Sequence, residues 1–311
     1  MKQFRSLFLL ILLCVFLCSI AACRQSPSST SDNRVKIVTT LFIHYDTARA
    51  VAGDYADITL LLPPGTESHD FDPTPGNVVD ICNANLFLYS GSFETFSARV
   101  LDQIDPDRTL AVDMSKGISL ISPDDSEADH DHDAHEVDQH YWTNPLNVIT
   151  MTNTVCDALI QADPEHEEDY RANAALHIAE LQTLDHDFRS LLSNSSSKKL
   201  IVASQFPFLY FCREYGLSYL AAYDTCAEHS EPSVKRVTQM IDTIREEKIP
   251  AVYYKEFANT SLANTIAEGS GAKIYLLHSA HNVSAEDFKN GVTYIQLMQQ
   301  NLKNLAEGFC Q

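Results

Sequence analysis

The sequence is poor in basic residues, with 22 Lys and Arg against 42 Asp and Glu and a formal net charge of −20. Nucleic acids and anionic membranes are unfavourable partners for such a field, whereas a cation is a favourable one. Simple solubility explains the charge equally well. The chain also lacks an HExxH motif and any CxxC pair, which are common signatures of zinc peptidases and cysteine metal sites. We therefore expect neither a nucleic-acid partner nor an enzyme.

Long hydrophobic runs are scarce, and the only one covers residues 7–17. Its length suits the hydrophobic region of a secretion signal better than a membrane-spanning helix. The residues IAAC that follow resemble the lipobox of bacterial lipoproteins and end at Cys23. We predict a signal peptide over residues 1–23, lipidation of Cys23 and a flexible polar tether over 24–33. The mature chain would then be extracytoplasmic and lipid-anchored to the bacterial cell membrane; a plain signal peptide or an uncleaved anchor is the alternative.

The remaining cysteines do not form a recognisable framework. They are Cys82, Cys156, Cys212, Cys226 and Cys310. Because their number is odd, at least one thiol is expected to be free, and spacing alone does not reveal a disulfide pairing. We do not count them as metal ligands.

Eight short runs rich in apolar, β-branched or aromatic residues recur along the chain. They cover residues 35–42, 57–62, 86–90, 109–115, 200–204, 217–223, 251–257 and 273–278. The separations suit crossover helices, which predicts an α/β fold with parallel sheets covered on both faces. Two sets of four strands predict two lobes over residues 34–163 and 198–311, each with a mostly parallel four-stranded sheet flanked by helices.

A long amphipathic pattern separates the two sets of strands. Apolar residues recur at steps of three or four between Tyr170 and Leu191, which predicts one helix over residues 164–193. A single rigid helix joining the lobes predicts limited domain closure around the cleft between them.

Histidine is concentrated in one acidic stretch, DHDHDAHEVDQHYW. Neutral imidazole is a common zinc ligand, and interleaved carboxylates attract a cation. We predict that His130, His132 and His135 form a secondary metal-binding loop within residues 124–139; a solvated, charge-rich surface insertion is the alternative. His140 differs, because bulky residues follow it at once and packed structure resumes there.

Other candidate ligands stand at the ends of predicted strands. His69 follows the second strand, Gln205 follows the fifth, Glu256 lies near the end of the seventh, and His278 ends the eighth. Because ligands of open parallel sheets bind beyond the carboxyl ends of the strands, we expect these residues to face one interlobe cleft.

From Val35 to Leu305 the chain resembles the metal-binding solute receptors of ABC uptake transporters, which are specific for zinc or manganese. The resemblance rests on the motifs PGTESHDFDPTP, DQHYWTNP and HNVSAEDFKNGVTYIQLMQQNLKNL. It implies the two-lobed fold, an ABC permease as partner, and two N-lobe ligands at His69 and His140. The acidic histidine-rich insertion resembles that of the zinc members.

The chain departs from the family pattern at two positions. The third family histidine aligns with Gln205, and the late carboxylate aligns with His278. Three imidazoles then remain at His69, His140 and His278, and zinc accepts three histidines and one oxygen in tetrahedral geometry. As the fourth donor, Glu256 ranks ahead of a water molecule and of Gln205.

Alternatives to this ligand set remain open. His281 is the main rival to His278, and His44 at the end of the first strand is a weaker substitute. Asp138, two residues before His140, is expected either to orient that imidazole from outside the metal's ligand shell or to be an ordinary solvated carboxylate.

The resemblance and the residues together predict a monomeric extracytoplasmic zinc receptor that delivers Zn²⁺ to an ABC permease. The first alternative is a manganese receptor of the same transporter class, although Mn²⁺ prefers oxygen donors. A secreted zinc-dependent hydrolase would also use three histidines, but it would further need a positioned general base.

Deleting residues 129–136 tests whether the histidine-rich loop is separate from the main site. Zinc calorimetry of the full chain should show one tight event and one or more weak ones, and the deletion should remove only the weak events. Loss of the tight event would mean that the loop belongs to the main site.

Overall fold

The computed structural model describes residues 34–68, 71–91, 93–121, 137–195, 197–223 and 232–309. The predicted signal peptide and tether lie outside these ranges. Seven residues singled out above also lie outside them: Cys23, His69, His130, His132, His135, Cys226 and Cys310.

The first of two parallel sheets has the strand order β2-β1-β3-β4. Its strands are β1 (Val35–Thr39), β2 (Ala56–Leu60), β3 (Leu86–Tyr89) and β4 (Leu110–Asp113). The helices of this lobe are α1 (Phe42–Ala52), α2 (Pro75–Cys82), α3 (Ser97–Leu101) and α4 (Pro145–Ala162). The central strands β1 and β3 are largely buried, which explains their nearly continuous apolar sequences.

The second sheet has the equivalent order β6-β5-β7-β8. Its strands are β5 (Lys199–Val202), β6 (Ser218–Ala221), β7 (Ala251–Tyr254) and β8 (Lys273–Leu276). The helices of this lobe are α6 (Leu209–Tyr215), α7 (Val234–Glu247), α8 (Ser261–Ser270), α9 (Ala285–Lys289) and α10 (Tyr294–Phe309).

The eight strands coincide with the predicted runs and confirm the predicted α/β fold of two parallel four-stranded sheets. Each strand stops before the end of its predicted run, so the last residues of the run belong to the following loop. The strand orders place a topological switch point between β1 and β3 and another between β5 and β7. The loops after these strands are therefore the expected ligand-binding positions.

One long helix, α5 (Glu167–Ser193), connects the two lobes. It begins later than predicted, because Pro164–His166 form a separate 3-10 turn. The Asp163 carboxylate contacts His166 Nδ1 and Tyr170 Oη, both at 2.6 Å, and these contacts hold the first turn. The 27 residues of α5 span about 40 Å at 1.5 Å per residue, and its buried face includes His177 as well as the predicted apolar stripe.

Hydrogen bonds also connect the lobes directly at residues 279–283, in the loop after β8. Trp142 Nε1 donates to Ser279 O (2.9 Å), and Phe42 N donates to His281 O (3.0 Å). Further bonds in the same segment join Asn282 to Pro63 and Thr66, and Gly65 to Val283. This segment belongs to the second lobe by sequence but is held against the first, which supports the prediction of limited domain closure.

None of the helices in the described ranges is long and apolar enough to cross a membrane. Cys82, Cys156 and Cys212 are free thiols, in agreement with the expectation of at least one unpaired cysteine.

Replacing Tyr294 with phenylalanine tests the interlobe contact. Tyr294 Oη donates to Trp142 O at 2.8 Å, and both residues are fully buried. The substitution removes the hydroxyl that donates a hydrogen bond to the buried carbonyl of Trp142. We therefore expect the free energy of unfolding to fall by about 1–3 kcal/mol. Urea denaturation followed by circular dichroism measures the change. The control is Tyr45→Phe, because Tyr45 is only half-buried, against Phe288; an equal loss in both variants would contradict the assignment.

Candidate metal site

Ionisable side chains from both lobes meet beyond the carboxyl ends of the strands. Glu67 lies in the loop after β2, Glu256 lies just beyond β7, and His281 lies in the loop after β8. His140 immediately precedes the 3-10 turn Tyr141–Thr143, which leads into α4. The contacts among these residues define the candidate site.

His140 is held by a carboxylate on one side and by aromatic rings on the other. Asp138 Oδ1 lies 2.7 Å from the backbone nitrogen of His140 and 3.0 Å from its Nδ1. The rings of Phe93 and Trp142 pack against the imidazole at centroid distances of 5.6 and 5.5 Å. These contacts fix the ring and leave Nε2 as the nitrogen directed away from Asp138. Asp138 thus stands where an orienting carboxylate outside the ligand shell is expected.

His281 has a similar arrangement and is completely buried. Its Nδ1 contacts Ser279 Oγ and lies 3.5 Å from Glu256 Oε1, whereas its Nε2 lies 3.3 Å from Glu67 Oε1. Burial lowers the pKa of His281, and this effect outweighs the neighbouring carboxylates, which raise it. The neutral imidazole is therefore favoured near neutral pH, as metal binding requires.

The two imidazoles are neighbours at the candidate site. The ring centroids of His140 and His281 are 6.3 Å apart, with an angle of 67° between the ring planes. Two imidazoles that share a tetrahedral zinc ion, with Zn–N distances of about 2.0–2.1 Å, have ring centroids about 5 Å apart, so these rings stand about 1 Å farther apart than in an occupied site. Within the described ranges no group of three or more His, Cys, Asp or Glu side chains is arranged as a metal cluster. His69, the third predicted imidazole, lies outside those ranges.

His278, the ligand predicted from the sequence, has other contacts. Its Nδ1 accepts a hydrogen bond from the backbone nitrogen of Ala280 at 2.9 Å. Asn301 binds both its backbone nitrogen and its carbonyl at 2.7 Å. Ala280 has a φ of +62°, an uncommon conformation for a residue with a side chain, so His278 stabilises a tight turn before His281. The structure brings the ring of His281 next to His140 and uses Nδ1 of His278 within the turn.

Glu256, the predicted fourth ligand, is a buried carboxylate that faces the Nδ1 side of His281. Its Oε2 accepts a hydrogen bond from Ser279 N at 2.8 Å, and its Oε1 accepts one from Ser279 Oγ. Burial raises the pKa of Glu256, but the lowering caused by His278, His281 and Lys255 is larger than this rise. The pKa is therefore below its usual value, and the carboxyl group stays ionised. These contacts favour an orienting role outside the ligand shell over direct coordination.

Two residues that the sequence analysis missed complete the site. Glu67 Oε1 faces His281, while Glu67 Oε2 accepts a hydrogen bond from Lys255 Nζ at 2.8 Å. The Lys255 side chain is only 1% exposed. Burial raises the pKa of Glu67, but the hydrogen bond with His281 and the ion pair with Lys255 hold that pKa well below its usual range. The position of Glu67 in the PGTESHD loop, two residues before His69, was the available signal for its role.

The remaining candidates occupy different surroundings. Gln205 follows β5 and is half-buried, and its carbonyl accepts a hydrogen bond from Ser204 Oγ at 3.1 Å. His44 is fully buried, and burial lowers its pKa to about 3. Its Nδ1 bonds to Thr40 Oγ1 at 3.0 Å, and Thr40 donates to the buried carboxylate of Glu94. His44 therefore belongs to an internal hydrogen-bond network of the first lobe.

Comparison with known proteins identifies relatives along most of the chain. The chain is 32% identical over 303 residues to the zinc-binding lipoprotein AdcA of Streptococcus pneumoniae, covering 95% of this chain and 60% of AdcA. The chain thus spans about three fifths of that relative's length. It is 29% identical to the high-affinity zinc uptake system protein ZnuA of Bacillus subtilis, covering 98% of both chains.

Solved structures agree with these relationships. The Zn(II)-bound ZnuA-like domain of Streptococcus pneumoniae AdcA superimposes with a TM-score of 0.76 at 30% identity, covering 89% of this chain and 100% of that domain. The metal-dependent lipoprotein YcdH of Bacillus subtilis gives a TM-score of 0.78 at 28% identity, with the same coverage. The model of the ZnuA family, described as zinc-uptake complex component A, periplasmic, matches residues 37–308. The chain therefore belongs to the ZnuA family.

Proposed function

We propose that this chain is an extracytoplasmic receptor that binds zinc and delivers it to an ABC permease. The observation that carries this proposal is the pair formed by His140 and His281, whose rings come from different lobes and lie 6.3 Å apart. Each imidazole has a carboxylate near Nδ1, as is typical of zinc-binding histidines. Family membership and the zinc-binding names of the relatives support the choice of metal.

The proposed ligands are His140 and His281 through Nε2, His69, and one oxygen of Glu67. Glu67 Oε1 lies 3.3 Å from His281 Nε2, and the ring of His140 lies beside that of His281. His69 is retained from the family resemblance. Three imidazoles and one carboxylate oxygen match the tetrahedral coordination of zinc. In this assignment His281 replaces His278, and Glu67 replaces Glu256 and Gln205 as the fourth donor.

The donor set also bears on the alternatives. Nitrogen-rich coordination favours zinc over manganese, which prefers oxygen donors. Membership of a receptor family argues against the hydrolase alternative. The name of the Streptococcus pneumoniae relative, a lipoprotein, supports lipidation at Cys23, which would tether the receptor at the outer face of the cell membrane.

Single substitutions test the ligand assignment. His140→Ala and His281→Ala should each weaken zinc binding by orders of magnitude, because each removes a direct ligand. Glu256→Gln should cost about 10- to 100-fold, the usual effect of losing a partner outside the ligand shell. His278→Ala is the matched control, since it removes an imidazole from the same loop and should cost much less. Competition with a zinc chelator measures each affinity; a severe effect of His278→Ala together with a mild effect of His281→Ala would reverse the assignment.

Lowering the pH tests whether imidazoles dominate the site. Protons compete with zinc for neutral imidazole, and a histidine with an ordinary pKa of about 6.5 loses about tenfold in affinity between pH 7.5 and 5.5. Because burial lowers the pKa of His281, its imidazole stays neutral down to a lower pH. It therefore contributes less to the loss of zinc affinity. We therefore expect a total loss above tenfold in a variant lacking residues 129–136. A smaller loss, measured by zinc competition at the two pH values, would contradict a three-imidazole site.

A further inference from the structure

A buried ammonium group next to a cation site is the least expected feature of this molecule. Lys255 lies directly after β7, and its side chain is 1% exposed. Lysine is rarely buried unless it is paired, and its charge repels an incoming dication. Its position therefore calls for a function that compensates for this repulsion.

The two oxygens of the Glu67 carboxylate have different partners. Oε2 accepts a hydrogen bond from Lys255 Nζ at 2.8 Å, whereas Oε1 lies 3.3 Å from His281 Nε2. The Lys255 backbone nitrogen is itself held by Ser204 Oγ at 3.0 Å, in the loop after β5. The ammonium group thus occupies Oε2, whereas Oε1 faces His281 and also accepts hydrogen bonds from the backbone nitrogen of Ser68 at 3.1 Å and from its Oγ at 3.4 Å.

We propose that Lys255 is a specificity-determining residue that restricts Glu67 to a single coordinating oxygen and so disfavours Mn²⁺ relative to Zn²⁺. This inference rests on the proposed function. Zinc is satisfied by four donors in a tetrahedron, and one carboxylate oxygen completes that number. Manganese prefers oxygen donors and octahedral coordination. The hydrogen bond from the ammonium group competes with metal coordination through Oε2, so it disfavours chelation by both oxygens, which manganese would use.

The ratio of the two affinities separates this role from a general effect of charge. Zn²⁺ and Mn²⁺ carry the same charge, so removing the ammonium relieves the repulsion of both ions to the same extent. Only a change in the oxygen donors available alters the ratio of their dissociation constants. A merely structural role for Lys255 would likewise weaken both metals without a preference.

The test compares Lys255→Met and Lys199→Met with the unmodified full chain. Lys199 is the matched control, because it also pairs with a glutamate, Glu247, in the same lobe, but this pair is far less buried. Dissociation constants for Zn²⁺ and Mn²⁺ are measured by chelator competition. We expect Lys255→Met to lower the ratio of the Mn²⁺ dissociation constant to the Zn²⁺ dissociation constant at least tenfold, mainly because manganese binds more tightly. Lys199→Met, which removes only a partly exposed ion pair, should leave the preference within about threefold.

Other results of the test would contradict either the specificity role of Lys255 or the proposed function. An equal gain or an equal loss for both metals in Lys255→Met, or no change, would overturn the specificity role. Failure of the unmodified chain to bind zinc would instead overturn the proposed function. Circular dichroism shows whether each variant folds. If Lys255→Met does not fold, the double variant Lys255→Met/Glu67→Gln is compared with Glu67→Gln alone. Because Lys255 acts through Glu67, the two should show the same preference, and a difference above threefold would overturn the proposal.

Discussion

The docking of residues 279–283 onto the first lobe is the constraint on which the candidate metal site depends. The carbonyls of Ser279 and His281 accept hydrogen bonds from Trp142 and Phe42, so the backbone on both sides of Ala280 is held by the other lobe. The imidazole of His281 is thereby fixed against the lobe that supplies His140. A loop free to follow the second lobe would carry His281 away from its partner whenever the lobes moved.

The electrostatic arrangement follows from that docking. Both imidazoles face a carboxylate at Nδ1, Asp138 in one lobe and Glu256 in the other. Charge from these carboxylates increases the basicity of the imidazoles and attracts a cation. Lys255 counteracts part of this negative charge by pairing with Glu67. In the proposed assignment, the site would combine two imidazole nitrogens with one restrained carboxylate oxygen, an arrangement suited to a small number of ligands around the ion.

Much of the architecture is readable from the sequence because the signals are local. The alternation of short apolar runs with helical spacing predicts all eight strands and the two sheets, since buried parallel strands need continuous apolar residues. The contact of Asp138 with His140 is also local, because the two residues are separated by one position. The choice between His278 and His281 is not readable in this way, because the two residues share one loop and the turn at Ala280, with its φ of +62°, places the ring of His281 beside His140.

By itself, the sequence determined the fold class and the presence of histidines near the predicted strand ends, both of which depend on residue type and short spacing. Only the tertiary structure decided which of these side chains meet. Glu67 and Lys255 are 188 residues apart in the chain, and no local pattern links them. Their contact exists because two separate sheets present their carboxyl ends to one cleft, where the burial of each charge requires a partner of opposite sign.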